Sequence, residues 1–410
     1  MKCRFCGEQL IHPFIDLGTA PPSNAYLRKE DLFQPELYYP LKLFVCHRCW
    51  LVQTEDYARA DELFRPDYAY FSSVSTSWLN HAVQYSAMIC DRLQLDDSSF
   101  VIEVASNDGY LLKNFVARNV PCLGIEPTES TAAAAEKLGI PVIRKFFGAT
   151  LAQQLRKEGK QADLIIGNNV YAHVPDINDF TAGLKTVLKP GGTITLEFPH
   201  LLQLIEYTQF DTIYHEHYSY FSLHTVRRIF TKAGLRIYDV EELSTHGGSL
   251  RIYGCHEEDK RLSLPSVSLL IAKEESHGLH SLKTYSVFQQ QADQVKDELL
   301  TFLVEKKRAG KRVAAYGAAA KGNTLLNYAG VKRDLLAYVC DAAPSKQGKF
   351  LPGSRIPILA STALKKDKPD VVLILPWNIA DEILNQHNYV HEWGAAFYVA
   401  VPEIKMVSPA

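Results

Sequence analysis

Four short apolar runs set the limits on this fold. "FVIEVA" (100–105), "CLGIEP" (122–127), "DLIIGNN" (163–169) and "TITLEFP" (193–199) each end in a turn, with amphipathic stretches between them. Continuous apolar runs, rather than alternating ones, mark strands buried on both faces. Their alternation with helical patterns predicts an α/β domain with a parallel sheet. The alternation pauses over 266–309, which is polar with helical period. It resumes at Arg312 with "RVAAYGAAAKGNTLL", "LAYVCDAAPS", "DVVLILPWNIADEIL" and "AAFYVAVPEI". A chain of 410 residues is too long for one hydrophobic core. Three units are predicted: 1–65, 66–262, and 263–410, the last a helical connector followed by a second Rossmann-like α/β domain. No repeat of 20 to 50 residues is present.

A formal net charge of −2 without long charged blocks argues against nucleic acid or anionic lipid as partners. No apolar stretch approaches a membrane span, and "MKCRFCGEQL" is not a signal peptide. A cytoplasmic protein with reduced thiols is expected. The 266–309 helices carry no coiled-coil heptads, and a monomer is expected.

Residues 1–65 are rich in proline and poor in periodicity, and they hold two C-x2-C pairs. Cys3 and Cys6 are separated by 39 residues from Cys46 and Cys49. Such spacing predicts a tetrahedral zinc site with four thiolates, a closed shell and therefore a structural metal. Gly7 follows the first pair, where a knuckle needs it. His47, between the second pair's ligands, suits solvent. Cys90, Cys122, Cys255 and Cys340 are scattered through apolar stretches and read as small buried hydrophobes.

"SSFVIEVASNDGYLLKNF" predicts strand, turn and helix. Glu103 ends the strand, Asn107-Asp108-Gly109 turn, and Tyr110 opens the helix. A dinucleotide fold would show G-x-G-x-x-G at this point. Ala105 and Asn107 largely replace those glycines, which fits a ligand without a pyrophosphate. Glu126 closes the next strand, where an acidic residue holds ribose hydroxyls. Asn168 and Asn169 sit at a strand's carboxyl end, where open sheets bind ligands. "LKPGGTITLEF" predicts a Pro-Gly-Gly turn into another strand. Together these pieces resemble the class I S-adenosylmethionine-dependent methyltransferases. The resemblance implies cofactor contacts from Glu103, Ala105, Asn107, Asp108, Gly109, Glu126, Asn168 and Asn169. Ala105 departs from the glycine that many members carry.

"TIYHEHYSYFS" (212–222) concentrates titratable and aromatic side chains. A catalytic metal would favour H-E-x-x-H on a helix, since i and i+2 do not face each other there. On an extended segment His215 and His217 share one side, Tyr214 and Glu216 the other, and His224 would be a third ligand. An acid–base centre fits better, because imidazole titrates near neutrality. Tyr218, Tyr220 and Phe221 read as a patch of partly exposed aromatics. "SLHTVRRIFTKAGL" then predicts a helix with Ser222 as N-cap and Gly234 as terminator.

The cysteine knuckles, the methyltransferase core, "YHEH" before a helix, "GGSLR" after it and "YGAAAKGN" in a second α/β domain together resemble the sugar C-methyltransferases of deoxysugar and antibiotic biosynthesis. The resemblance spans essentially the whole chain. It implies methylation at C3 of a nucleotide-linked 4-keto-2,6-dideoxyhexose, with dTDP as the expected handle. It implies His217 as base, with Tyr214 and Glu216 beside the enolate, and Tyr70 or Tyr68 from the end of the first domain. His215, His246 and Arg251 are expected on the substrate side, although Arg251 also reads as a plain strand arginine. In the last domain the resemblance implies a site for the nucleotide diphosphate, with Lys321, Asn323, Asp341 and Lys346 as its contacts; Lys349 lies close by. Two further readings stand beside this one: methylation at oxygen or on another keto sugar, and a zinc-bearing binding protein that keeps the cofactor fold without catalysis.

Overall fold

The computed structural model describes residues 1–55, 57 and 71–408. Strands β1 (His12–Ala20), β2 (Tyr39–Val45) and β3 (Val52–Thr54) form an antiparallel meander that carries the cysteine pairs. Its fourth strand comes from elsewhere. β9 (Ser219–Tyr220), directly after the histidine run, pairs with β3 through Val52↔Tyr220 and Gln53↔Ser219.

The central sheet has seven strands: β4 (Val101–Val104), β5 (Cys122–Ile125), β6 (Val142–Ile143), β7 (Ala162–Asn168), β8 (Leu188–Pro199), β10 (Leu235–Leu243) and β11 (Ser249–His256). Their order is β10-β11-β8-β7-β4-β5-β6, and β11 alone runs against its neighbours. This is the class I methyltransferase topology. All four residues of β4 and of β5 are buried, as continuous apolar runs require. The strand order reverses between β4 and β7, so the ligand crevice lies beyond their carboxyl ends.

The third sheet comprises β12 (Val313–Tyr316), β13 (Val339–Cys340), β14 (Ile358–Leu359), β15 (Val371–Ile374), β16 (Ala396–Val399) and β17 (Lys405–Val407). Its order is β14-β13-β12-β15-β16-β17, parallel except for β17. The reversal falls between β12 and β15, a second crevice of the same kind. The connector contains helices Pro265–Ser276 and Phe288–Arg308. Glu274 on the first of them is fully buried. It accepts from the amides of Leu223 and His224 at 2.6 and 3.0 Å and pairs with His200 at 2.8 Å. The connector thereby caps the helix that follows the histidine run, Leu223–Lys232, whose N-cap is Ser222 and whose last turn ends at Gly234 with φ +73°. Among the described residues no helix is long and apolar enough to cross a membrane.

Three local expectations change. The helix after β4 starts at Lys113 rather than Tyr110, because successive turns hold 107–112 and Lys113 N–H is the first to reach back to Gly109. Pro190-Gly191-Gly192 is not a turn before a strand but a bulge inside β8, where the register to β7 slips between Ala162 and Leu164. Tyr218, Tyr220 and Phe221 are buried, since β9 and the sheet it joins cover them.

Candidate active site

Both C-x2-C pairs form tight knuckles. Gly7 N–H donates to Cys3 O at 2.9 Å and Trp50 N–H to Cys46 O at 2.8 Å, with Gly7 at φ +76°. The four Sγ atoms lie within 4.8 Å of one another. Cys3–Cys49 and Cys6–Cys46 approach to 3.5 and 3.6 Å without forming a disulfide. Zn–S bonds of about 2.3 Å in a tetrahedron require S···S of about 3.8 Å, so the set fits zinc. The Cys3 thiol is held far below its ordinary range by hydrogen bonds from Cys46 and Cys49, and Gln53 Nε2 donates to its sulfur at 3.3 Å. The same contacts push the Cys46 and Cys49 thiols up, so the cluster by itself favours one thiolate, and binding of a metal would release the protons of the others. Among the described residues this is the one His/Cys/Asp/Glu group close enough to share an ion. His224 instead sits against His280, with ring centroids 4.0 Å apart, and the metal alternative for the histidine run drops out.

The expected cofactor residues gather at the carboxyl ends of β4, β5 and β7. Glu126 accepts from Asn107 N–H at 3.0 Å and Thr128 N–H at 2.8 Å, one amide per carboxylate oxygen, which leaves each oxygen a lone pair for a diol. Both Glu103 oxygens, Asp108 Oδ1 and both Asn168 side-chain atoms are buried without a hydrogen-bond partner among the described residues. Burial, then the charges of Glu126 and Asp108, push the Glu103 carboxyl well above its usual range. Unpaired buried polar atoms are costly and call for a ligand. An acidic crevice of this kind suits S-adenosylmethionine, whose sulfonium and ammonium are cationic. Ser72 and Ser73 N–H donate to Asn107 Oδ1 and Asp108 Oδ2 at 2.9 and 3.1 Å, so the segment before helix Thr76–Leu93 laps over this turn.

Ala105 and Asn107 adopt left-handed backbone, φ +57° and +48°. Alanine pays about 1–2 kcal/mol there, a cost that glycine would avoid. Ala105→Gly should bind the methyl donor at least as well as the wild type. Ala105→Val, β-branched in the same region, should weaken it by about tenfold or more. Calorimetric titration with S-adenosylhomocysteine measures both.

The histidine run turns rather than extends. His217 N–H donates to Tyr214 O at 2.9 Å, which places His215 and Glu216 at the corner. The two imidazoles diverge in consequence, contrary to the extended arrangement. His215 Nε2 lies 3.3 Å from both Tyr39 O and Pro40 O, against the N-terminal sheet. His217 is buried, with Nδ1 3.0 Å from Thr212 O. A carbonyl only accepts, so Nδ1 carries the proton and Nε2 is left as the basic lone pair. Burial, then the neighbouring His173, hold the ring well below the ordinary imidazole range. Tyr214 lies tilted against the ring, with centroids 4.0 Å apart, and His173 meets it edge-on at 4.7 Å. Glu216 Oε1 accepts from Asn24 Nδ2 at 3.1 Å, while Oε2 has no partner among the described residues; burial raises this carboxyl.

The two crevices face each other across this loop. Asn169 Nδ2, at the end of β7, lies 2.9 Å from His246 Nε2. Lys321 Nζ, just inside helix Ala320–Tyr328, donates to His246 O at 3.2 Å and Asn378 Oδ1 at 2.9 Å, and sits 4.5 Å from the Trp377 ring centre. Burial lowers this ammonium to about 8. Gly247 makes the approach possible, since a Cβ there would come within 2.3 Å of Trp377. Asn323 Nδ2 donates to Ser23 O at 2.6 Å. Asp341 accepts from the amides of Ala318 and Ala343, and Lys346 donates to Ala318 O at 2.9 Å.

Arg251 is turned inward. Its guanidinium meets Glu197 at 2.9 Å, Glu241 at 3.1 Å and His81 at 3.1 Å over the Tyr85 ring. Its charge is matched inside the central domain by Glu197 and Glu241. Tyr68 and Tyr70 lie outside the described residues. Sequence reading passed over His173, Asp211, Trp377 and Asn24. Only His173, in "NNVYAHVPD" after β7, stood where open sheets bind ligands.

Family models match for a zinc binding domain at residues 3–64, a methyltransferase domain at 80–240 and a C-methyltransferase C-terminal domain at 244–402. The C-methyltransferase NovU of Streptomyces niveus is 33% identical over 407 residues, 99% of this chain and 97% of that protein. Among solved structures, the PH0226 protein of Pyrococcus horikoshii OT3 aligns over 46% of this chain and 95% of its own at 14% identity, TM-score 0.38. Magnesium protoporphyrin IX methyltransferase of Synechocystis PCC 6803 with bound SAM aligns over 43% and 77% at 15% identity, TM-score 0.33. S-adenosylmethionine and zinc are the cofactors, and this methyltransferase belongs to the C-methyltransferase family.

Proposed function

We propose that the enzyme methylates C3 of a nucleotide-linked 4-keto-deoxyhexose, with His217 as the base. The observation that carries this reading is the Thr212 carbonyl on Nδ1, which commits Nε2 of a buried, neutral ring to accepting a proton. Nε2 takes the C3 hydrogen as a proton, the C–H electron pair forms the C3–C4 double bond, and the carbonyl π pair moves onto the 4-keto oxygen. Glu216 Oε2 and Tyr214 are the groups beside the ring suited to support that oxygen. Bound S-adenosylmethionine supplies an electrophilic methyl and leaves as S-adenosylhomocysteine. The enolate carbon forms the new bond while the chain holds the two reactants in line. The sugar's diphosphate would rest at the second crevice, where Lys321 offers a cation; its contacts with His246 and Asn378 would yield to the phosphate.

The test is direct. The enzyme is incubated with S-adenosylmethionine and a dTDP-4-keto-2,6-dideoxyhexose, and the product is read by mass and carbon NMR. A methyl on quaternary or tertiary C3 supports the reading; an O-methyl signal or no transfer overturns it.

The pH dependence follows from the same ring. Only neutral imidazole accepts the proton, and its value in the folded enzyme lies below the ordinary one. Activity should therefore hold as pH falls through about 6.5 and decline only at lower pH. A profile of kcat/KM against pH checks this; an acid limb at or above the ordinary imidazole value would contradict it.

A further inference from the structure

We infer that Thr324 and Trp377, both in the C-terminal domain, are positioning residues for His217. The inference rests on His217 being the base. The base is aimed by a single backbone carbonyl, Thr212 O. The residues on either side of Thr212 are each held from the C-terminal domain. Trp377 Nε1 donates to Asp211 Oδ2 at 2.8 Å, and Thr324 Oγ1 donates to Ile213 O at 2.7 Å. Asp211, Thr212, Ile213 and Thr324 are all buried, so no bulk water substitutes for either donor. Within the loop, Thr212 and Ile213 N–H reach back to Gln209 and Phe210 at 3.0 Å each, which closes one short turn but leaves its direction to outside contacts. A peptide plane that loses its anchor at Ile213 rotates, and the neighbouring Thr212 carbonyl moves with it.

Thr324 shares its helix, Ala320–Tyr328, with Lys321 and Asn323. The helix at the proposed diphosphate crevice is thus the one that aims the base, and the base's geometry depends on a domain that contributes no reacting group of its own.

The test uses the full-length enzyme with both substrates saturating. Thr324→Val keeps the shape and removes the donor, and should lower kcat by about tenfold or more while S-adenosylhomocysteine affinity stays unchanged. Thr324→Ser restores the donor and should return kcat to within about twofold of wild type. Trp377→Phe should lower kcat in the same direction and covers the case in which Thr324→Val folds poorly. The inference is overturned if donor-binding Thr324→Val and Trp377→Phe both turn over like wild type, or if Thr324→Ser is as slow as Thr324→Val. Solvent-deuterium exchange at C3 in His217→Ala keeps the two questions apart. Loss of exchange there, with normal turnover in Thr324→Val and Trp377→Phe, refutes the positioning role alone; exchange at the wild-type rate refutes the base.

Discussion

If His217 is the base proposed above, His217→Ala should lose methyl transfer by about 10²- to 10⁴-fold, the usual contribution of a positioned general base. The C3 hydrogen of the proposed substrate should stop exchanging with deuterated solvent at the same time. Both follow from one ring. Its Nδ1 faces Thr212 O, which leaves Nε2 as the basic position, and burial lowers the ring's pKa. Removal of the ring takes nothing from the donor crevice, whose Glu103, Asn107 and Glu126 belong to other strand ends, so donor affinity is retained. Exchange followed by NMR, with donor binding measured in parallel, separates a missing base from a collapsed site. Wild-type exchange in a variant that no longer methylates would assign proton removal to another group.

Zinc removal should slow catalysis as well, though the four-thiolate site leaves the metal no open position for substrate. Chelation, or Cys49→Ser, takes away the four-thiolate shell that ties the two knuckles of the first domain together. The thermal midpoint should fall by on the order of 10 °C, and turnover should fall with it by about tenfold or more. The second loss is specific to this architecture. β3 leads out of the second knuckle and pairs with β9, which begins only two residues after His217. Asn24, which holds Glu216, is also a first-domain residue. Thermal unfolding and turnover measured on the same chelated sample, then again after zinc is restored, check both effects. Full turnover in a zinc-free enzyme would show that the catalytic loop holds its shape without the sheet.

The order of the elements was legible because it is written in periodicity. Buried parallel strands have to be continuous apolar runs, and "FVIEVA" and "DLIIGNN" became β4 and β7 on either side of the crevice. The zinc ligands were legible for a similar reason, since a knuckle fixes its cysteine spacing. The histidine loop was not. Alternation in "YHEH" suggests an extended strand, but the turn there is set by a backbone bond from His217 to Tyr214 and by anchors more than a hundred positions away, Thr324 and Trp377. The pairing of Arg251 was hidden for the same reason. Glu241 is on the adjoining strand β10, but Glu197 lies on β8, which neighbours β11 in the sheet and not in the chain. Local pattern reports what a residue's own element does, and only topology brings the neighbours in.

The pairing of β3 with β9 carries a consequence for any attempt to trim this enzyme. Cut to its seven-stranded middle, the polypeptide would keep every wall of the donor crevice and lose the scaffolding on both flanks of the proton acceptor. Such a fragment would hold its methyl source and have nothing to hand it to. Three modules that look interchangeable along the chain are, at the point of chemistry, one machine.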